Sequence, residues 1–188
     1  MVKLSKSVKK HREKAIKKIN FLIFTISSTL YNKKIKGEKI NDESGSKAIK
    51  LIEKAGYNVI KKIILPNDIE LLREEIDSCI KEFSPDVIIT IGGTGLSPRD
   101  VTIEAITPIF EKSIPGFGEL FRLHSFKKIG TASFLSRASA GIYKGVAIFS
   151  LPGSPHAIEI ALKRIILPEI GHLVAHLKEK IWADWKNN

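Results

Sequence analysis

Short apolar runs that alternate with helical periodicity most constrain the fold of this 188-residue chain. Residues 20–27 and 86–91 leave no polar face, so both are predicted to be strands buried on both sides. Residues 57–65 and 145–151 are predicted to be two further strands. Because strands that alternate with helices form a parallel sheet covered on both faces, we predict an α/β fold that binds ligands beyond the carboxyl ends of its strands.

Helices are predicted between and after these strands. Apolar residues at helical spacing predict helices over residues 42–55, 67–83 and 101–110. The only cysteine, Cys79, falls on the apolar stripe of the second helix and is expected in the core. A long last helix is predicted from Ser154, with a break or kink at Pro168. Residues 115–118 are predicted to be irregular, since they hold a proline and two glycines.

Basic residues are concentrated at the N-terminus. The formal net charge is +11, and residues 1–18 hold eight Lys and Arg against one acid. This segment is predicted to be a basic arm that precedes a single domain over residues 19–188. The arm could contact nucleic acid, attract an anionic substrate or be a solvated terminus. Nucleic acid is disfavoured, because the rest of the chain lacks the basic and aromatic pattern of RNA-binding modules.

The apolar segments are too short for a secretion signal or a membrane span. The longest early one, residues 21–26, is far below the length that either requires. A single cysteine also excludes a disulfide framework. We therefore expect a cytoplasmic protein.

Three glycines within four residues follow the strand at 86–91, in the order Gly92-Gly93-Thr94-Gly95. Glycine permits positive φ and a close approach of the backbone to a ligand, and successive N–H groups form an anion-binding concavity. The loop is therefore a candidate phosphate site. It matches neither GxxxxGK[ST] nor a GxGxxG that opens a helix, which disfavours a P-loop ATPase and a dinucleotide-binding dehydrogenase.

Two interpretations are open for the next residues, Ser97-Pro98-Arg99-Asp100. A capping box, with Ser97 as the N-cap and Pro98 at the first helical position, would explain them without any function. Capping does not explain Arg99, whose guanidinium suits a phosphate beside a glycine loop. Asp100 is compatible with a capping role or a functional one.

The strand at 145–151 leads into a second turn, Pro152-Gly153-Ser154. Ser154 is predicted to cap the last helix, with Pro155 at its first position, and this alone would explain the turn. The alternative is that two glycine turns at strand ends hold two phosphate-bearing ligands, such as a nucleotide and a phosphorylated substrate.

Four motifs occur in the order and spacing of one known family. They are IGGTGLSPRDVT at 91–102, PGFGE at 115–119, SRASAG at 136–141 and LPGSP at 151–155. On these motifs the chain resembles the MoaB/MogA family of molybdenum-cofactor biosynthesis proteins, from about residue 9 to residue 167. The basic lead-in KKHREKAIKKINFLIFTIS is more similar to MoaB than to MogA.

The resemblance implies a three-layer α/β/α fold with a mostly parallel sheet, assembled as trimers or hexamers. It also implies a molybdopterin adenylyltransferase, which transfers the AMP group of ATP to molybdopterin with Mg²⁺ present and releases pyrophosphate. The product would pass to a MoeA-type partner that inserts molybdate or tungstate. Molybdopterin and ATP are thus the expected ligands, and neither a membrane nor a nucleic acid is an expected partner.

Carried over residue by residue, the resemblance assigns phosphate binding to residues 92–95 and the flanks of that site to Ser97 and Arg99. Asp100 matches the second of the family's two essential aspartates and is the candidate Mg²⁺ ligand. Ser44 and Gly45, in an intact DxSG motif, are expected to face the site. The other implied substrate- and nucleotide-binding residues are Glu119, Ser136, Arg137, Pro152, Gly153 and Ser154.

Two positions depart from the family's pattern. Asn67 stands where the first essential aspartate is expected, with Asp68 beside it, so both are candidate catalytic residues together with Asp100. Ser28 stands where the family has an acid after the first strand. These neutral residues leave a second hypothesis open, a degenerate family member that binds or carries molybdopterin without catalysis.

Overall fold

The computed structural model describes residues 18–179. In this part of the chain the strands are β1 Asn20–Ile26, β2 Asn58–Leu65, β3 Val87–Ile91, β4 Lys112–Ser113, β5 Ser139–Tyr143 and β6 Val146–Leu151. The α-helices are α1 Ser28–Ile35, α2 Glu43–Lys54, α3 Ile69–Phe83, α4 Thr102–Ile106, α5 Pro115–Ile129, α6 Pro155–Ile160 and α7 Leu167–Leu177. The 3-10 turns Thr107–Ile109 and Gly130–Leu135 follow α4 and α5, and a π-helical segment, Ala161–Ile166, joins α6 to α7. Nearly all of the predicted basic arm, residues 1–18, lies outside the described residues.

The strands form one mixed sheet in the order β2-β1-β3-β6-β5-β4. The four strands β2, β1, β3 and β6 are parallel, whereas β5 runs antiparallel to β6 and β4 antiparallel to β5. The four predicted strands are confirmed to within one residue, while the antiparallel strands β4 and β5 and the helix α1 were not predicted. Because β2 adds to one side of β1 and β3 to the other, the winding direction reverses between β1 and β3. Such a switch point is where α/β sheets bind ligands.

Helices cover both faces of this sheet, which confirms the three-layer architecture. On one face Ile23 and Ile89 pack against α2, α5 and the α6–α7 region. On the other face Leu22 and Ile88 pack against α3 and α4, where Cys79 is buried as predicted. Successive strand residues point to opposite faces, so a strand without a polar face requires a helical layer on each side.

Polar caps set where three of the helices begin. Asp42, Asp68 and Ser154 each accept a hydrogen bond from the backbone N–H three residues later, at the starts of α2, α3 and α6. The cap at Ser154 confirms the prediction. Asp68 and Ser154 follow β2 and β6, so their caps also fix two loops at the carboxyl edge of the sheet.

Residues 115–118 are helical, which corrects the prediction of irregular structure. They form the first turn of α5, with Pro115 at the first position, where its missing N–H removes no hydrogen bond. Glycine is required at Gly118, because a Cβ there would lie 2.8 Å from the carbonyl oxygen of Ala138. This close approach brings Phe117 into the core.

Pro168 does not end the last helix, so of the two outcomes predicted there, a break or a kink, the break is wrong. Helical residues continue from Pro155 to Leu177, and the π-helical segment Ala161–Ile166 stands immediately before α7. The helix type changes there, so Pro168 lies in the first turn of a new segment, where it removes no interior hydrogen bond. None of the helices within residues 18–179 has the combination of length and apolarity that crossing a bilayer requires.

Candidate active site

Loops from four parallel strands meet at the carboxyl edge of the sheet, beside the switch point. Ser28 follows β1, Asn67 follows β2, the glycine loop (residues 92–101) follows β3, and Gly153 follows β6. The structure thus gathers the two glycine turns and both positions that depart from the family's pattern at one edge.

Two neighbouring clefts open among these loops. The Asp100 cleft has a volume of about 510 Å³, and its lining includes Ser28, Asn67, Gly93, Ser97, Arg99 and Asp100. The Asp42 cleft has a volume of about 340 Å³, and its lining includes Asp42, Ser44, Gly92 and Gly153. Ile26 and Ser27 line both, so the clefts lie on either side of the end of β1.

The glycine loop is held so that backbone N–H groups point away from α4. Gly92 and Gly93 have φ angles of +99° and +62°, and the N–H of Gly92 donates to the carbonyl of Leu151 at 2.9 Å. Thr102 donates to both glycine carbonyls, from Oγ1 to Gly92 at 2.8 Å and from its N–H to Gly93 at 2.9 Å. In a trans peptide the N–H points opposite to the preceding carbonyl, so the N–H groups of Gly93 and Thr94 point away from Thr102. This geometry is compatible with the phosphate site expected from the sequence.

Residues 97–100 form a turn and not the start of a helix, which corrects the capping-box interpretation. The N–H of Asp100 donates to the carbonyl of Ser97 at 2.9 Å, with Pro98 at the second position, as is typical of a β-turn. The helix α4 begins only at Thr102 and has no side-chain cap. Capping therefore does not account for Asp100, whose carboxylate lies against the loop: a Cβ on Gly95 would stand 2.5 Å from Oδ2.

Asn67 and Ser28 form a hydrogen-bonded, uncharged pair in the Asp100 cleft. Ser28 Oγ accepts from the backbone N–H of Asn67 at 3.1 Å and from its Nδ2 at 3.4 Å. Asn67 Oδ1 is buried, has no hydrogen-bond partner among the described residues, and occupies the space that a side chain at Gly93 would need. Since buried polar atoms are normally paired, this acceptor beside the glycine loop is a candidate ligand contact.

Asp68, the neighbour of Asn67, is used differently. Its Oδ1 accepts from the N–H of Leu71 at 2.9 Å, which caps α3, and the residue is exposed. It lies outside the linings of both clefts. The structure therefore brings Asn67 and Asp100 together and leaves Asp68 apart from them.

The oxygen donors of the Asp100 cleft suit magnesium. Asp100 is the one carboxylate among the described residues that line it, and Ser28 Oγ and Asn67 Oδ1 add neutral oxygens. Mg²⁺ prefers oxygen ligands and is commonly held by one or two carboxylates, substrate phosphates and water. Within residues 18–179 no group of three or more His, Cys, Asp or Glu could hold a metal. A magnesium ion at Asp100 would therefore depend on phosphates of the substrate.

Asp42 is the buried anchor of the second cleft. Its carboxylate accepts hydrogen bonds of 2.8 Å from Thr25 Oγ1, the N–H of Gly45 and Lys62 Nζ. Burial by itself raises the pKa of Asp42, but the hydrogen bonds from Lys62, Gly45 and Thr25 outweigh this effect and hold the pKa below its ordinary value of 3.8. These contacts fix the start of α2 and with it Ser44.

Lys62→Met should destabilise the protein, because it leaves the buried Asp42 carboxylate without its cation. We expect a loss of about 3 kcal/mol in the free energy of unfolding at pH 7, measured by urea titration. Lys61→Met is the matched control, since Lys61 is an exposed neighbour whose Nζ lies 4.8 Å from the centre of the Phe83 ring. Its loss should not exceed about 1 kcal/mol.

The effect of Lys62→Met should shrink in acid. In the wild-type protein the pKa of Asp42 is lower in the folded state than in the unfolded state, so the ionised carboxylate stabilises the fold. This stabilisation is fully present at pH values above 3.8 and is lost as the pH falls through the folded-state pKa. In the variant, the buried carboxyl of Asp42 lacks Lys62, so its pKa is higher than in the wild type. Protonation of Asp42 as the pH falls then removes the unpaired buried charge and reduces the destabilisation. An equal loss at pH 7 and at pH 3 would contradict the assignment.

Ser44 and Gly153 join the two sides of the Asp42 cleft. Ser44 Oγ donates to the carbonyl of Gly153 at 2.7 Å, and a Cβ on Gly153 would stand 3.4 Å from Gly92 Cα. The hydroxyl of Ser154 is engaged in capping α6, and Pro152 lies outside the linings of both clefts. Of this turn, Gly153 is thus the residue in contact with the glycine loop.

Arg137 contacts the glycine loop from within the protein. Its Nε donates to the carbonyl of Thr94 at 3.0 Å and its Nη2 to the carbonyl of Asp100 at 3.3 Å. Both Nη1 and Nη2 also bind the carboxylate of Glu104. The hydrogen bond from Arg137 holds the pKa of the Glu104 carboxyl below its ordinary value of 4.5. Every guanidinium nitrogen is therefore engaged with protein groups.

The structure does not bring Glu119 and Ser136 into either cleft. Glu119 lies on α5 and lines a separate cavity of about 220 Å³ together with Arg122 and Ala138. The carbonyl of Ser136 accepts from Arg122 Nη1 at 3.4 Å. These two residues are therefore apart from Asn67 and Asp100 within this chain.

Lys62 and Glu104 were missed by sequence analysis. Their partners Asp42 and Arg137 are 20 and 33 residues away in the chain, so no local pattern indicates either contact. Thr102 was visible only as the last residue of the motif at 91–102. Its two hydrogen bonds to the glycine loop depend on the fold.

Residues 22–172 match the family described as a probable molybdopterin binding domain. The chain belongs to this family. Its MoaB/MogA membership, predicted from four motifs, is confirmed by relatives and solved structures with those names.

Two relatives of this MoaB/MogA-family protein span nearly its whole length. It is 41% identical over 166 residues to the probable molybdopterin adenylyltransferase of Methanocaldococcus jannaschii. The aligned region covers 88% of this chain and 98% of that protein. It is 36% identical over 174 residues to molybdenum cofactor biosynthesis protein B of Bacillus subtilis. The aligned region covers 92% of this chain and 98% of that protein.

A solved structure shares the fold. The tungsten cofactor synthesizing protein MoaB from Pyrococcus furiosus superimposes with a TM-score of 0.77 at 38% sequence identity, covering 88% of this chain and all of that one. The three-layer fold predicted for this MoaB/MogA-family protein is thus shared with a relative of known structure.

Proposed function

We propose that this MoaB/MogA-family protein adenylylates molybdopterin, using ATP and Mg²⁺. The observation that carries the proposal is the position of the Asp100 carboxylate against the glycine loop, at the switch point of the sheet. The Asp42 cleft on the other side of β1 offers room for a second ligand. The activity named for the Methanocaldococcus jannaschii relative supports the same conclusion.

The reaction requires two anions to be held together. A phosphate oxygen of molybdopterin attacks the α-phosphorus of ATP, the new P–O bond forms, and the bond to the bridging oxygen breaks so that pyrophosphate leaves. A phosphate monoester loses its second proton at about pH 6, so the nucleophile is already anionic and needs no general base. Positioning and charge neutralisation are therefore the main tasks of the protein.

Groups of the glycine loop would perform these tasks. The N–H groups of Gly93, which lines the Asp100 cleft, and of the buried Thr94 next to it would donate to phosphate oxygens. The exposed Arg99 would add a guanidinium at the same cleft. Asp100, with Asn67 Oδ1 and Ser28 Oγ nearby, would hold Mg²⁺, which when bound neutralises phosphate charge.

A second candidate function is a carrier that binds molybdopterin without catalysis. The uncharged Ser28–Asn67 pair favours it, because the Asp100 cleft has one carboxylate in its described lining. A site with a single carboxylate depends more strongly on substrate phosphates to retain a metal.

An assay of the purified protein with metal-free molybdopterin and Mg-ATP separates the two functions. Adenylylation predicts equal amounts of pyrophosphate and adenylylated pterin, and their loss when Mg²⁺ is chelated. Tight molybdopterin binding with no pyrophosphate would instead establish the carrier. If the protein shows no molybdopterin binding and no turnover, both functions are contradicted.

We also place the protein in the cytoplasm and expect it to deliver its product to a MoeA-type partner that inserts molybdate or tungstate. An adenylylated pterin is an activated intermediate, so a partner must consume it. Mixing the protein with such a partner should release AMP only in the presence of molybdate or tungstate.

Assembly as a homotrimer or hexamer is part of the same proposal. Large apolar side chains are exposed along α5 and the turn after it, at Leu120, Leu123, Phe126, Ile129, Phe134 and Leu135. Leu173 and Leu177 of the last helix, by contrast, pack against the core and are partly buried. Since a contiguous exposed apolar surface usually marks an interface, we place the contact between copies on α5 rather than on α7.

Leu123→Asp combined with Phe134→Asp should dissociate the oligomer to single chains, because each adds a charge to an apolar contact. Sedimentation equilibrium measures the mass. Ile35→Asp is the matched control, since Ile35 is an equally exposed apolar residue on α1, beside β2 at the opposite edge of the sheet. A wild-type mass of one chain would contradict the proposal.

A further inference from the structure

We infer that Glu104 is a positioning residue that acts through Arg137 to hold the glycine loop in its ligand-binding shape. The inference rests on the proposed adenylylation for its kinetic consequence, but its structural part does not. Glu104 belongs to none of the four sequence motifs and lies outside the linings of both clefts.

The guanidinium of Arg137 joins the two ends of the exposed part of the loop. It binds the carbonyl of Thr94 through Nε and that of Asp100 through Nη2, and these residues are six positions apart. Thr94 is itself buried, so the first of these contacts is partly shielded from solvent. A lysine could not reproduce this, because it offers a single point charge in place of a fork of donors.

Glu104 fixes the direction of that fork. Its two carboxylate oxygens bind Nη1 and Nη2, and it belongs to α4, which Thr102 also joins to the loop. A bidentate pair restricts the guanidinium to one plane. The carbonyls of Thr94 and Asp100 are therefore bound in one arrangement, and the Asp100 carboxylate and the loop N–H groups keep theirs.

Glu104→Gln distinguishes positioning from simple electrostatics, because the two predict opposite signs. Removing a negative charge beside an anion site should lower KM for ATP if charge alone matters. If Glu104 positions the loop, the variant should raise KM for ATP by about fivefold to tenfold and lower kcat by about tenfold. Asp77→Asn is the matched control, since Asp77 forms a similar exposed ion pair with Lys144 away from both clefts.

A double-mutant cycle tests whether Glu104 acts through Arg137. Arg137→Lys alone should be at least as harmful as Glu104→Gln, and the double variant should be no worse than Arg137→Lys. Strictly additive effects in kcat/KM would overturn the inference, as would a lower KM for ATP in Glu104→Gln.

Amide hydrogen exchange makes the test independent of the reaction. Exchange of the Asp100 N–H, which donates to the carbonyl of Ser97 within the loop, should be about tenfold faster in Glu104→Gln and Arg137→Lys than in the wild type, and unchanged in Asp77→Asn. If the wild-type protein shows no pyrophosphate release but the loop loosens in both variants, the proposed reaction fails and the positioning role stands. Unchanged exchange in both variants would overturn the positioning role, whatever the activity.

Discussion

Replacing Asp100 by Asn is expected to lower the rate of pyrophosphate release by at least about a hundredfold. The substitution keeps the size of the side chain and removes the one carboxylate among the described residues of the Asp100 cleft. Because Asp100 does not cap α4, its loss should leave the stability of the helix unchanged. The expected defect is therefore in chemistry and metal retention, and the free energy of unfolding should stay within about 0.5 kcal/mol of the wild-type value.

Asp68→Asn is the comparison that gives this result its meaning. The same change from Asp to Asn is made here one position after Asn67. The carboxylate of Asp68, however, caps α3 outside the cleft. Asn is as good an N-cap as Asp, so neither stability nor turnover should change by much. A hundredfold loss in Asp68→Asn with normal turnover in Asp100→Asn would exchange the roles that we assign to the two aspartates.

A similar comparison bears on the carrier hypothesis. If the carrier function is correct, Asp100→Asn should bind molybdopterin as the wild type does, and neither protein should release pyrophosphate. If the enzyme function is correct, restoring a carboxylate with Asn67→Asp should strengthen the response to Mg²⁺, because it adds a ligand beside Asp100.

Gly92→Ala is expected to destabilise the protein by about 3 kcal/mol or more. Gly92 has a φ angle of +99°, and a Cβ on it would stand 2.5 Å from the carbonyl oxygen of Ile26. That oxygen belongs to the backbone of the last residue of β1, so relieving the overlap requires the end of the strand or the glycine loop to shift. The strain would therefore fall on the strand ends that carry both clefts. Urea unfolding monitored by circular dichroism measures the loss.

Gly56→Ala separates conformational strain from steric overlap. Gly56 also has a positive φ, +87°, but a Cβ there would meet no atom within 4 Å. Its loss should therefore be about 1–2 kcal/mol, the strain alone. The excess in Gly92→Ala measures the packing of the glycine loop on β1. Equal losses in the two variants would show that this close packing contributes nothing.

The sequence by itself determined the layered fold and the position of the site along the chain. The runs that became β1 and β3 lack a polar face, and such strands are stable only between two layers of helices. The cap at Ser154 followed from residues within one helical turn, and the burial of Cys79 from the apolar stripe of one helix. Motifs at strand ends could then be assigned to the carboxyl edge of a parallel sheet, since that edge collects every strand-end loop.

Only the tertiary structure decided what individual side chains do at that edge. Ser97 and Pro98 have the letters of a helix start, yet the loop closes as a turn because Thr102 and Arg137 hold its carbonyls. The ion pair of Glu104 with Arg137 likewise joins segments that are 33 residues apart. A residue's periodicity and neighbours specify its secondary structure, because those forces act within a few positions. Its hydrogen-bond partner across the fold is specified only when the strands have brought distant segments together.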